Sequence, residues 1–304
     1  MNPKKVYIKY HEAGGGAWIY QGYKNAWNQL GYDASYFNNL TEIKDEPGSY
    51  YLQIVDANVA SDDAYEVVKN SFKAFVYAQP NAFPNPWGSH PNFHCHCPDK
   101  YIDLLNKLDN TVLWTFDPGS YHTKWKKVHP LPIAFDSVAY KDLENQEYTF
   151  DVCYIGGRAN NGFDEKYQIM SKYFSKFVDT DLKCGIFVDQ NISHEQENLI
   201  LCNSKICLNI HDNYQRSMVT SDTNERTFKS LGLNGILISD REGYIPKTFP
   251  DVPIFDTPEQ MVELVDNYLN MPSDDLQEIR DRHRKLIRGK HTYIERVKTQ
   301  LALL

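Results

Sequence analysis

Two short stretches of this sequence carry residue types suited to a diphosphate. The first is Tyr154-Ile155-Gly156-Gly157-Arg158, an apolar run that delivers two glycines and an arginine. Glycines let backbone N–H groups approach a phosphate, and a guanidinium offers two parallel donors. The competing reading is a tight turn that carries a surface arginine. The second stretch is Ser221-Asp222-Thr223-Asn224-Glu225-Arg226-Thr227-Phe228. Thr223 or Asn224 is a good N-cap, and Phe228, Leu231 and Leu233 give the following helix an apolar side. A helix N-terminus presents free N–H groups and a partial positive charge, which suits an anion. Arg226 adds a full charge, and Glu225 can accept hydrogen bonds from sugar hydroxyls. The plainer alternative is a capped helix with Glu225 and Lys229 as a solvated i,i+4 pair.

Four further groups carry possible chemistry. Ile206-Cys207-Leu208-Asn209-Ile210-His211 is a strand that ends in polar residues at a sheet edge. His11-Glu12-Ala13-Gly14-Gly15-Gly16-Ala17-Trp18 hints at a nucleotide or methyl-donor loop, but it lacks the spaced G-x-G-x-x-G pattern. Asp117 follows the run Trp114-Thr115-Phe116 and can serve as a general base or a hydroxyl ligand. An Asx-type cap before Pro118-Gly119 competes with that role. Finally, His90, His94, Cys95, His96 and Cys97 invite a zinc hypothesis. Zinc sites draw a second ligand pair from elsewhere, and Cys153, Cys184, Cys202 and Cys207 all fall within predicted elements. No metal is therefore expected, and the segment reads as an acceptor-facing loop.

These groups need a frame, and the apolar pattern supplies one. Strands are predicted at 6–10, 33–37, 51–55, 73–78 and 112–116, with helices at 17–30, 63–70 and 98–108. The rhythm breaks between 79 and 97 and again from 130 to about 146. It restarts with strands at 150–155, 183–188, 206–210 and 235–239. Helices intervene at 164–177, 195–201 and 258–269, and one long charged helix closes the chain near 274–303. Strand, glycine loop, helix, strand is a βαβ unit, which implies a parallel sheet. Two consecutive α/β runs imply two Rossmann-like domains, 1–135 and 136–304.

Composition narrows the class. A chain of 304 residues with 41% hydrophobic content can bury real cores. No apolar run approaches a membrane span, and the N-terminus lacks the features of a signal peptide, so the expectation is a cytoplasmic protein with reduced thiols. A net charge of −8 argues against nucleic acid as the main partner, although a local basic groove would escape that argument. The 21 tyrosines fit either an aromatic core or a surface that stacks on sugars or bases.

The segment from Asn224 to Asp240, NERTFKSLGLNGILISD, resembles the donor-site helix and strand of the CgeB-like glycosyltransferases, relatives of the group 1 family with the two-domain GT-B fold. Asp151 to Arg158 resembles that family's first C-domain strand and loop. Leu131-Pro132-Ile133-Ala134-Phe135-Asp136 resembles its interdomain segment, and His291-Thr292-Tyr293-Ile294-Glu295-Arg296 its closing helix. Together these cover roughly residues 111 to 300. The resemblance implies two Rossmann-like domains facing across a cleft, with the closing helix packing back on the N-terminal one. It implies transfer of a sugar from a nucleotide-diphosphate sugar, a co-substrate rather than a cofactor, to an acceptor hydroxyl, with no obligatory metal. The implied donor-binding residues are Gly156, Gly157, Asn209, His211, Asn224, Glu225 and Thr227. Arg158 and Arg226 would stabilise the leaving diphosphate, and Asp117 would act at the acceptor hydroxyl. His11, Gly14, Gly15, Gly16 and Trp18 would line the acceptor side. One departure stands out: retaining relatives place a glutamate after the helix Phe to hold the ribose, and here that position is Lys229. Three alternatives stay open, namely a DNA-base-modifying sugar transferase, a nucleotide-sugar epimerase, and a non-catalytic nucleotide-sugar-binding or coat protein.

Overall fold

The computed structural model describes residues 2–10, 17–55, 60–89, 97–117, 119, 121–143, 148–158 and 166–304. The chain divides into two compact units, Met1–Pro132 with Tyr293–Leu304, and Ile133–Thr292.

In the first unit, β1 (Lys5–Lys9), α1 (Ala17–Gln29), β2 (Asp33–Phe37), β3 (Tyr50–Ile54), α2 (Asp62–Asn70), β4 (Lys73–Tyr77), α3 (Asp99–Leu105), β5 (Thr111–Thr115) and β6 (His129–Pro130) follow one another. The sheet is parallel, with order β2-β1-β3-β4-β5-β6. A sheet covered by helices on both faces needs apolar residues on both, and β3 is buried along its whole length. Helix α1 buries Trp18, Tyr20, Tyr23, Ala26 and Trp27, and the chain turns at Gly31, whose φ of 83° is open to glycine without strain.

In the second unit come β7 (Phe150–Gly156), α4 (Lys166–Phe174), β8 (Cys184–Val188), α5 (His194–Cys202), β9 (Ser204–Asn209), α6 (Asn213–Arg216), α7 (Glu225–Leu233), β10 (Leu237–Asp240), α8 (Ile245–Thr248), β11 (Ile254–Phe255), α9 (Pro258–Leu269) and α10 (Ser273–Lys290). Its parallel sheet has order β11-β10-β9-β7-β8. One core gathers Phe135, Phe228, Leu231, Phe249 and Ile287, and another gathers Val152, Tyr154, Met170, Leu208 and Val265.

The long closing helix expected over 274–303 is two helices, α10 and α11 (Tyr293–Ala302). His291 and Thr292 leave the helix because they are recruited elsewhere. The His291 carbonyl accepts the Phe135 N–H at 2.8 Å, and Thr292 bridges Phe135. In the first unit α11 lies close on α1, with Tyr293 against Tyr23 and Trp18 and too near Gly22 to admit a Cβ. Helix α4 ends at Phe174 and gives way to a 3₁₀ turn at Ser175–Phe177, and the two-residue strands β6 and β11 carry no periodicity that a sequence could display.

The end of α7 is set by Gly235, whose φ is 87° and whose N–H returns to the Ser230 carbonyl at 2.9 Å. A Cβ there would stand 2.6 Å from the Cα and carbonyl oxygen of Arg280, backbone atoms that cannot swing aside. Gly235→Ala should therefore destabilise the protein by about 3 kcal/mol or more, adding a left-handed backbone penalty to overpacking. Urea unfolding checks this, and a midpoint unchanged from the parent would contradict it.

Candidate functional site

The second sheet reverses direction between β7 and β9. The chain leaves β7 toward β8 on one side and then crosses to β9 on the other. In open parallel sheets, ligands bind outside the carboxyl ends of the strands at such a point. Gly156 closes β7 there and Asn209 closes β9.

Arg226, in the first turn of α7, spans these two strand ends. Its Nε donates to the Ile155 carbonyl at 2.5 Å, and its Nη1 donates to Asn209 Oδ1 at 2.6 Å and to the Ile210 carbonyl at 3.3 Å. The guanidinium lies 4.4 Å from the centroid of the Tyr154 ring. Only 7% of the residue is exposed, and among the described residues no carboxylate pairs with it. A buried cation without a counter-ion is costly unless something supplies the negative charge. Nη2 makes no hydrogen bond among the described residues. Gly156 is what lets the guanidinium sit here, because a Cβ on it would overlap Nη2 and stand 2.7 Å from Cζ.

The first turn of α7 is braced from behind. Asn224 caps it by accepting the Thr227 N–H at 3.3 Å, and its Nδ2 donates to Asn209 Oδ1 at 3.0 Å. Asn209 Nδ2 donates to Thr227 Oγ1 at 3.0 Å, and the Thr223 and Thr227 hydroxyls are 2.7 Å apart. His211 Nε2 meets the Thr223 hydroxyl at 2.8 Å, and its Nδ1 meets Asp240 Oδ1 at 2.7 Å. Asn209, His211 and Thr227 are all 0% exposed. They hold the helix start in place rather than face solvent, whereas Glu225 is half-buried and beside it.

Arg158 sits apart from this network. Its Nε pairs with Asp189 Oδ2 at 2.8 Å, and its backbone N–H donates to Asp189 Oδ1 at 3.0 Å. Lys229 is turned away from the helix start. Its Nζ lies 2.9 and 3.0 Å from the two oxygens of Glu197, and Tyr140 also donates its hydroxyl to that carboxylate. Burial, and then the neighbouring Glu197 charge, raise the Tyr140 pKa, which keeps its hydroxyl protonated.

Several neighbours escaped the sequence reading. Lys166 is 5% exposed and pairs with Asp212 at 2.6 Å. Arg216 contacts Asp240 at 3.3 Å, with a buried Nη1 that lacks a hydrogen bond among the described residues. Glu242 is fully buried and accepts the Tyr244 and Ile245 N–H groups, and burial raises its pKa. Asp189 and Asp240 shared a legible signal: each is a polar residue at or just past the end of a strand, as Asn209 is.

In the first unit, Asp117 lies past the carboxyl end of β5, near His122, which is 8% exposed. Burial lowers the His122 pKa, partly offset by the Gly119 and Ala78 carbonyls and by Asp117. Trp18 is 9% exposed and packs edge-on against Tyr293, so it belongs to the core rather than an open face. His11, Gly14, Gly15 and Gly16 lie outside the described residues, as do His90, His94, Cys95 and His96; Cys97 is buried at 4%. Among the described residues no helix is long and apolar enough to cross a membrane.

Comparison with known proteins places the fold and the family. The glycosyl transferase-like family model matches residues 149–302, just over half of the chain. Among solved structures, a glycosyltransferase from Rickettsia africae ESF-5 superposes with a TM-score of 0.64 at 9% identity, covering 100% of this chain and 98% of that one. An alpha-glucosyltransferase in complex with UDP and a 13-mer DNA containing a HMU base superposes with a TM-score of 0.61 at 11% identity, covering 99% of each. The same description with a 13-mer DNA containing a central A:G mismatch gives a TM-score of 0.60 at 12% identity. At such identities the likeness is one of fold, and no curated protein matches the sequence. The two parallel sheets with interleaved helices are the GT-B fold of those neighbours, and the family match covers most of the unit that carries Arg226. The chain belongs to the glycosyl transferase-like family and is a transferase of GT-B fold.

Proposed function

We propose that this chain moves a sugar from a nucleotide-diphosphate sugar to an acceptor hydroxyl without a metal, as a CgeB-like member of its family, and that the second unit holds the donor. The observation that carries this reading is Arg226, a buried guanidinium without a carboxylate partner among the described residues, set at the strand reversal and at a helix N-terminus. As the bond between sugar and phosphate breaks, negative charge grows on the leaving diphosphate. A fixed cation and the positive end of α7 stabilise that charge without having to reorganise. Gly156 and Gly157 let the diphosphate approach the backbone, Glu225 is placed to accept from donor hydroxyls, and Arg158 adds less charge because Asp189 already pairs with it. Asp117 is the acceptor-hydroxyl ligand in this reading, on the first unit.

The test is a thermal-shift series with UDP, GDP, TDP and CMP and their sugars, followed by turnover assays with candidate acceptors. A ligand bound only by the native state at about 100 times its Kd should stabilise it by roughly 2.7 kcal/mol. The expected result is a shift with one nucleoside diphosphate, and acceptor-dependent release of that diphosphate that EDTA leaves unchanged. Donor consumption without acceptor would favour an epimerase, and binding without turnover a non-catalytic protein. No shift with any nucleotide would remove the proposal.

A further inference from the structure

Arg158 has its charge satisfied but its flat surface in use. Its guanidinium carbon lies 5.1 Å from the centroid of the Tyr167 ring, in the first turn of α4. Tyr167 is 54% exposed, among the large hydrophobic side chains that this fold leaves in solvent. The Arg158 side chain is itself 52% exposed. Arg158 is held in place. Asp189 takes both the Nε and the backbone N–H of Arg158, and its own N–H donates to the Gly156 carbonyl at 3.1 Å. Asp189 has a φ of 52°, a left-handed conformation that costs a non-glycine residue energy and persists where its surroundings fix it. A Cβ on Gly157 would stand 3.3 Å from Asp189 Oδ1, so the glycine leaves room for this arrangement.

A guanidinium neutralised by a carboxylate attracts phosphate weakly, but it keeps a planar face. The guanidinium lies over the Tyr167 ring, and the half-exposed pair stacks as one plate. Such a surface suits another flat π-system, since base stacking on aromatic and guanidinium planes does not depend on base identity. The position is also right. Arg158 is two residues beyond Gly156, which touches the Arg226 guanidinium site, and the β8 end that carries Asp189 is one strand spacing of about 5 Å from β7. We propose that Arg158 and Tyr167 form the plate on which the nucleobase of the donor stacks, while Arg226 takes the diphosphate. This rests on the donor reading given above.

The experiment is calorimetric titration of the full chain with whichever of UDP, GDP, ADP and TDP binds it best. Tyr167→Ala should weaken binding by roughly 5- to 100-fold, the range of one lost stacking contact. Tyr167→Trp should bind within about threefold of the parent, since it restores a π-face. Parent-like affinity in Tyr167→Ala overturns the proposal, and so does a loss that Tyr167→Trp fails to restore. If the parent chain binds none of the four, the donor reading itself falls; if it binds one and the Tyr167 variants are indifferent, only the base plate falls.

Discussion

Arg226→Ala should lower kcat/KM for sugar transfer by at least ~100-fold, the usual cost of losing one charge-stabilising group at a developing anion. The size of the effect follows from where the side chain sits. Its Nε and Nη1 are committed to the Ile155 carbonyl, Asn209 Oδ1 and the Ile210 carbonyl, so it cannot be replaced by a neighbour that swings in. Lys166, Arg158 and Arg216 are each paired with an aspartate. Arg226→Lys should recover little, because one ammonium cannot span two strand ends as a planar fork does. Gly156→Ala gives an independent check. It keeps the arginine but pushes a methyl group into its guanidinium, and it should reproduce most of the loss. Steady-state kinetics with the preferred donor decide the matter. Near-parental turnover in Arg226→Ala would remove the central claim.

The second large effect is on stability. Lys229→Ala should destabilise the second unit by about 3 kcal/mol, because it strands the Glu197 carboxylate where only 13% of its side chain meets solvent. Lys229 is equally enclosed, at 10%. Removing one partner of a buried pair leaves the other charge unpaid, whereas replacing both can be near neutral. The double variant Lys229→Met with Glu197→Gln should therefore recover most of the loss, since Tyr140 can still donate to the amide oxygen. Lys229→Glu should be worse than Lys229→Ala, as it sets two carboxylates together. Denaturant unfolding reads all of these. Parent-like stability in Lys229→Ala would show that the pair contributes nothing. The same contrast bears on the residue type at this position, since a lysine bound to Glu197 is not directed at a nucleotide ribose.

The course of the chain was legible where patterns are local. Alternation and apolar runs located β1, β2, β4, β7 and β8 to within a residue, and Asn224 with Phe228 and Leu231 marked α7. Position in the sequence also singled out the strand ends that meet at the reversal. What escaped it depends on distant partners. Nothing local says that Asp189 will take Arg158, that Glu197 will take Lys229, or that Phe135 will pull His291 and Thr292 out of a helix. Burial escaped too. Asn209, His211 and Thr227 have the polar character of ligand contacts, yet all three are enclosed, because α7 lies directly over the end of β9. The loop pattern around Gly156 suits a phosphate approaching backbone, and the structure adds that its missing side chain makes room for Arg226.

The placement of α11 has a consequence for how the polypeptide is made. Its Tyr293 and Val297 are buried in the first unit, and Tyr293 fills the space over Gly22. Every residue of the second unit is translated before α11 is. A ribosome therefore releases an N-terminal sheet whose α1 face still shows Trp18 and Tyr23 to water. The first unit to be synthesised is the last to be finished, and until then its bare aromatic face is what a chaperone or an aggregating neighbour would meet.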